Sequence, residues 1–268
     1  MTVLKKQLIA LGLGLSLLTG AAGAAQTPEL RIDRQEVAAV AYVESGTTYV
    51  SLRMVSQALA PRAQITWEDG TAAVRCEGLS LEAVPGQKWI VANGRYLYVP
   101  GGVRIREGRV LVPVRVLAEA FGAQVEWSGE TGLISVCSGS GAKTAAYDSE
   151  ELYWLSRIIS AESRGESLEG QIAVGNVVLN RVRSREFPDT IYGVIFDGRW
   201  GGQFEPVRNG TIYQTPTPLS IIAAKLCLEG ADVAGESLYF LDPVKAGNLW
   251  TTQNRPYVMT IGVHDFYA

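Results

Sequence analysis

The chain has 268 residues, 47% hydrophobic and 19% charged, with a formal net charge of −3 and a pI near 5.4. That length accommodates two domains with cores of their own, and that composition excludes wholesale disorder. The acidic balance excludes a basic nucleic-acid-binding surface as the main theme. His264 is the only histidine, too few for a His-rich zinc site, so no metal and no cofactor is expected.

The first 25 residues read as a secretory signal peptide. Lys5 and Lys6 form a positive start, Leu8 to Leu18 an apolar run, and Ala22-Gly23-Ala24 an A-x-A cleavage site. The run falls short of the roughly 20 residues of a membrane span, so the mature chain is expected to be exported, with no membrane attachment once the signal is cleaved; the competing reading is an uncleaved N-terminal anchor. Losing both lysines takes the net charge from −3 to −5.

An internal repeat follows. TYVSLRMVSQAL (Thr48–Leu59) recurs as VLVPVRVLAEAF (Val110–Phe121), and AQITW (Ala63–Trp67) as AQVEW (Ala123–Trp127). Each unit predicts a short strand, a helix of about two turns, a strand through the Trp, a turn and a last strand. Pro85-Gly86, Asn93-Gly94 and Pro100-Gly101-Gly102 predict hairpins between the units. Arg53, Arg115, Trp67 and Trp127 recur symmetrically, as residues that lock strand to helix do; the competing reading is a surface for wall sugars. Cys76, Cys137 and Cys227 are an odd set at wide spacing that fixes no disulfide framework.

The Gly/Ser-rich stretch 138–147 predicts a flexible linker. Beyond it, Asp148 or Ser149 caps a helix whose Leu152, Leu155, Ile158 and Ile159 form one apolar stripe. Glu162 continues that stripe. A carboxyl group facing a core or cleft is expected to hold its proton toward neutral pH, as a general acid must. A second helix is predicted from Leu168 to Arg183 behind Ser167, and a third from Pro218 to about Glu229 behind Thr217. Between them lies the aromatic, Gly-rich loop Gly198–Pro206, and Leu238–Pro243 reads as a short strand.

Two resemblances emerge from these motifs. The duplicated unit resembles the copper amine oxidase N-terminal-like "stalk" domain of exported bacterial proteins, over residues 30–137. The run SAESRGESLEGQIAVGNVVLNRV (Ser160–Val182), with Phe187-Pro188, Gln203-Phe204, Tyr239-Phe240 and Ile261-Gly-Val-His264-Asp-Phe-Tyr267, resembles the SleB-type cell-wall hydrolases, which include spore cortex-lytic enzymes, over 148–268. These resemblances imply an α+β chain: a duplicated hairpin-and-helix stalk, then a mostly helical lysozyme-like domain acting on peptidoglycan glycan strands in the cell wall or spore envelope. They assign Glu162 the role of catalytic acid and favour lytic transglycosylase chemistry. Gln203, Phe204, Tyr239 and Trp250 are expected to line a glycan cleft, with core packing the competing reading for Phe204 and Tyr239; His264 is placed beside them, though it also reads as a residue that fixes the C-terminal strand. Hydrolysis would require a second carboxylate from Glu166, Glu169, Asp189 or Glu205. The stalk is expected to hold the enzyme at the wall or on a wall or spore protein. The competing reading of the whole chain is a wall-binding or assembly protein that has kept the fold without turnover.

Overall fold

A computed structural model describes residues 29–38, 41–199, 204–244 and 249–268. The expected signal peptide and Gln203 lie outside the described residues. The chain is α+β with a β-rich N-terminal domain and a mainly helical C-terminal domain.

The N-terminal domain runs β1 (Leu30–Ile32), β2 (Gln35–Glu36), β3 (Ala41–Glu44), β4 (Thr47–Ser51), α1 (Leu52–Leu59), β5 (Gln64–Glu68), β6 (Thr71–Cys76), β7 (Leu79–Ala83), β8 (Trp89–Ala92) and β9 (Arg95–Tyr98). It continues with β10 (Arg104–Arg106), β11 (Arg109–Pro113), α2 (Val114–Ala120), β12 (Gln124–Trp127) and β13 (Ile134–Cys137). The two repeats interlock. The first-repeat strand β4 pairs antiparallel with its counterpart β11, Val50 opposite Val112, inside the sheet β10-β11-β4-β3. Each repeat thereby closes the other's apolar face, as units too small to bury a core alone must.

The segment between the repeats is a meander, and with β5 and β6 it forms the sheet β5-β6-β7-β8-β9. Asn93 and Gly94 both take positive φ (50° and 80°), the pair a type I′ hairpin requires. A third sheet, β12-β13-β1-β2, is closed by the parallel pairing of β1 with β13. Ser51 caps α1 through Met54 N, whereas Pro113 in the second repeat offers α2 no side-chain cap.

Two expectations are corrected in this half. Arg53, Arg115, Trp67 and Trp127 are all exposed, and among the described residues none makes a side-chain hydrogen bond that locks strand to helix. The stretch 138–147 is no free tether either. Ser138 bonds Asp33, Ala145 N donates to Asn93 O, and the Tyr147 hydroxyl accepts from Tyr96 N at 3.0 Å. Its composition suits a coil, but one aromatic and a few backbone bonds suffice to seat it. The three cysteines are free thiols.

The C-terminal domain packs α3 (Ser149–Ser163), α4 (Leu168–Arg183) and α7 (Pro218–Leu228) around one core. Asp148, Ser167 and Thr217 cap them. α4 is central and buried almost all round. Gly175 lets the three helices close up, since a Cβ there would meet Cys227 Sγ at 2.7 Å and Ile159 Cδ1 at 2.9 Å. Short helices α5 (Ile191–Ile195) and α6 (Glu205–Asn209) and a 3-10 turn, Thr211–Tyr213, follow α4. The sheet β14-β16-β15, built from Tyr239–Leu241, His264–Tyr267 and Tyr257–Ile261, completes the fold with α8 (Leu249–Asn254).

The domains meet across a polar seam. Arg95, only 7% exposed, donates to Glu119 (2.8 Å) on α2 and to Glu229 (2.7 and 2.8 Å) just past α7. Glu169, in the first turn of α4, pairs with Lys88 and accepts from the Tyr98 hydroxyl. Burial alone would raise the Glu169 pKa, but Lys88, a backbone hydrogen bond and the Tyr98 hydroxyl together outweigh it and hold that carboxyl below its usual range. Trp89, Tyr96 and Tyr98 pack against the helical core.

Candidate active site

Glu162 occupies the last turn of α3, on the stripe whose Leu155, Ile158 and Ile159 are fully buried. It opens into a cleft of about 320 Å³ lined by Arg164, Glu205, Asn209, Thr211 and Gln214 together with Glu162 itself. Burial pushes its carboxyl up to about 7; the nearby Glu205 charge adds to the rise and Arg181 opposes it. At neutral pH a large fraction of Glu162 therefore carries a proton in a cleft open to a ligand, the state a general acid needs.

Beneath the cleft lies Arg181, 4% exposed. Its guanidinium sits 4.9, 5.2 and 5.3 Å from the rings of Phe187, Phe204 and Tyr239. Nε donates to Leu238 O at 2.7 Å, while buried Nη1 has no partner. Burial lowers its pKa to about 10, with Tyr239, Asp197 and Glu162 pulling the other way. With Asn176 and Asn180, which bond the backbone of residues 231–237, Arg181 fastens the segment leading into β14 onto α4.

The predicted site residues divide. Glu162 lines the cleft. Tyr239 lies over Arg181, and its hydroxyl accepts from Arg255 at 2.8 Å. Trp250 is half-exposed beside it, ring centroids 6.3 Å apart. Phe204 is a correction: it is buried in the helical core against Arg181 and offers no face to a sugar. His264 is a second. Strand alternation puts it on the same face as Phe266, and it is buried with its ring edge-on to Phe240 at 5.3 Å, away from the cleft lining. That agrees with its reading as a strand-fixing residue.

The four carboxylates considered as partners also separate. Glu166 accepts from Val263 N at 3.3 Å and clamps the β15–β16 turn, where a Cβ at Gly262 would strike its carboxylate. Glu169 is consumed by the domain seam. Asp189 is exposed and absent from the cleft lining. Glu205 alone shares the cleft with Glu162.

Asn209, Thr211 and Gln214 were not foreseen as lining residues. Asn209 Oδ1 accepts from Thr211 N and Oγ1 at 3.0 and 2.7 Å, and Gln214 Oε1 accepts from Arg164 at 3.4 Å. The polar Asn209-Gly210-Thr211 turn at the end of α6, four residues after Glu205, was the available signal. Among the described residues, no three His, Cys, Asp or Glu side chains gather as a metal site.

Comparison with known proteins agrees with this architecture. Residues 165–267 match the family described as Cell Wall Hydrolase, and residues 31–136 match the copper amine oxidase N-terminal domain. The first match begins three residues beyond Glu162. The chain therefore carries a SleB-type cell wall hydrolase domain behind a copper amine oxidase N-terminal domain. Spore cortex-lytic enzymes from Bacillus cereus and Oceanobacillus iheyensis are each 38% identical, over 45% of this chain and 45% and 42% of theirs. The chain thus spans less than half the length of the curated relatives it matches. The solved catalytic domain of the germination-specific lytic transglycosylase SleB from Bacillus anthracis is 36% identical, covering 47% of this chain and all of that one, with a TM-score of 0.42.

Proposed function

We propose that this protein is an exported glycosidase that cleaves peptidoglycan strands of cell wall or spore cortex, with Glu162 as its acid and base. The observation that carries the reading is one carboxyl, raised to about 7, in an open cleft. The relatives' designation as spore cortex-lytic enzymes supports the substrate class. Protonated Glu162 donates to the glycosidic oxygen between N-acetylmuramic acid and N-acetylglucosamine, and the C1–O bond breaks as positive charge grows on the muramic sugar. The substrate's own acetamido group supports that charge. The muramic 6-hydroxyl then attacks C1 and returns its proton to the Glu162 carboxylate, leaving a 1,6-anhydro end and no net proton change.

A second reading has one observation in its favour. Glu205 shares the cleft, so it could activate a water molecule and yield a reducing end, as the second carboxylate of a hydrolase does. A carboxyl held near neutrality speaks for either form of catalysis against a binding protein without turnover, which has no use for one.

The chain reads as two units, 30–137 and 148–268, with 138–147 laid along the seam. The first unit offers a surface for the wall or a spore protein: a groove of about 920 Å³ lined by Trp127, Arg115 and Val43 among others. Arg115 makes no ion pair there, whereas Glu29 of the same groove is paired with Arg31. The direct test is clearing of suspended sacculi and of isolated spore cortex by the mature chain. Glu162→Gln is expected to stop clearing while co-sedimentation with sacculi persists; undiminished clearing by that variant contradicts the proposal.

A further inference from the structure

Beyond the cleft, one face of α3 carries an aromatic surface that the chemistry above does not use. Tyr153, Arg157, Ala161 and Arg164 follow at i, i+4, i+8 and i+11, a single helical stripe. Its far end, Ala161 and Arg164, lines the cleft. Arg157 donates to Gln214 O at 2.6 Å and lies 4.1 Å above the Tyr153 ring. Trp154 at the near end is half-buried and edge-on to Tyr153 (4.9 Å), Tyr192 (5.4 Å) and Tyr213 (6.4 Å).

Those three tyrosines are 45%, 48% and 61% exposed. Scattered exposed aromatics need no explanation, but a contiguous group of them does. Each belongs to a different element, α3, α5 or the 3-10 turn, and all three are anchored on one indole. Tyr213 stands one residue before Gln214 and two after Thr211, both of the cleft wall. The patch is thus continuous with the cleft. Glu162 lies nine positions after Tyr153 along α3, about 13.5 Å at 1.5 Å per residue, room for more than one sugar ring.

We propose that the Tyr153–Trp154–Tyr192–Tyr213 platform is a distal subsite that binds the pyranose rings of the glycan strand whose scissile bond lies at Glu162. Flat amphipathic rings offer the apolar face of a pyranose a stacking surface, while the phenol hydroxyls remain available to its ring substituents. Guanidinium groups of Arg157 and Arg164 continue the trough toward the cleft and can donate to the acetamido and lactyl carbonyl oxygens that a muramic glycan carries along its length. A protein partner would use the same aromatics, but the continuity with the cleft favours the strand that the cleft holds.

This inference rests on the proposed glycan substrate, and the test keeps the two apart. In the full-length chain, Tyr213→Ala is expected to raise KM for long glycan strands about five- to tenfold while kcat changes little. Activity on the shortest cleavable fragments is expected to stay at the wild-type level. Tyr213→Phe retains the ring and is expected to restore long-strand KM, with unchanged melting temperatures showing that both variants fold. An equal loss on long and short substrates, or no loss on either, overturns the platform even if Glu162 proves catalytic. Should the wild type cleave nothing, the same variants are compared for binding to peptide-stripped glycan strands in solution. Binding weakened by Tyr213→Ala supports the platform without catalysis, and binding that requires intact peptide or protein overturns it.

Discussion

Two buried arginines, one between the domains and one beneath the cleft, are treated by this fold in opposite ways. Arg95 has carboxylates on both sides, Glu119 and Glu229 within 2.8 Å. Its charge is neutralised and its donors are spent on joining two domains. Arg181 is buried as deeply yet makes no salt bridge; three aromatic rings surround it, one carbonyl accepts from Nε, and Nη1 remains bare. A fold seeking stability alone would pair such a charge or replace it with hydrocarbon. The exceptions to good packing gather where chemistry requires them, and the acid that feels Arg181 is Glu162. On the proposed mechanism, an unspent positive field beside that residue favours the carboxylate left after proton donation, whereas Arg95, already neutralised, is a fastener.

The sharpest way to separate the two roles is to remove the acid itself. Glu162→Gln is expected to lower kcat by about 10³-fold, within the range for a lost general acid and base, with KM for glycan little changed. Removing the fastener acts on stability instead. Arg95→Met strands Glu229 in the seam and is expected to cost about 3 kcal/mol, read as a lower denaturation midpoint, with cleavage of short fragments within about twofold of wild type. A comparable activity loss in Arg95→Met would erase the distinction between the two arginines.

Glu162 also carries a cost that its amide would relieve. Its folded pKa of about 7 lies above the usual 4.5, so the native state loses stability as pH rises through that window. Below about pH 4.5 both states are protonated and no cost remains. Glu162→Gln is therefore expected to stabilise the protein by about 2–3 kcal/mol at pH 8 and by almost nothing at pH 4, measured by denaturant melts at both. Smaller still, and opposite in sign, are the pH–rate displacements from its neighbours. Glu205→Gln removes a like charge and is expected to move the alkaline limb of kcat/KM to lower pH; Arg181→Met moves it higher. Both limbs moving the same way would contradict the placement of Glu162 between them.

The sequence disclosed these roles unevenly. Repeats, caps and helix spans were legible because each is a local pattern: Ser167 before Leu168, Thr217 before Pro218, Asn93-Gly94 in a hairpin. Glu162 stood out because a carboxylate on an apolar stripe breaks a period that its neighbours set. Arg181 did not, since one cation near a helix end looks like any solvated charge until the Phe187, Phe204 and Tyr239 rings close over it. No helical period or paired spacing sets Glu205 apart from Glu166 or Glu169 as a partner for Glu162; only the return of the chain past α4 brings it to the end of α3. Phe204 and His264 left two readings open for the converse reason, because a motif shared with relatives marks residues that build the fold as readily as residues that meet a ligand; burial decides for the fold at both. The seating of 138–147 was hidden by composition, which reports how stiff a segment is but not what it finds to rest on.

The claim that one carboxyl serves as both acid and base is tested most directly by mass spectrometry of the soluble fragments that the mature wild-type chain and its Glu162→Gln and Glu205→Gln variants release from peptidoglycan. The account predicts muropeptides ending in 1,6-anhydromuramic acid from the wild type and from Glu205→Gln, and none from Glu162→Gln. Reducing ends from the wild type that vanish in Glu205→Gln would contradict it and make Glu205 the second carboxylate of a hydrolase.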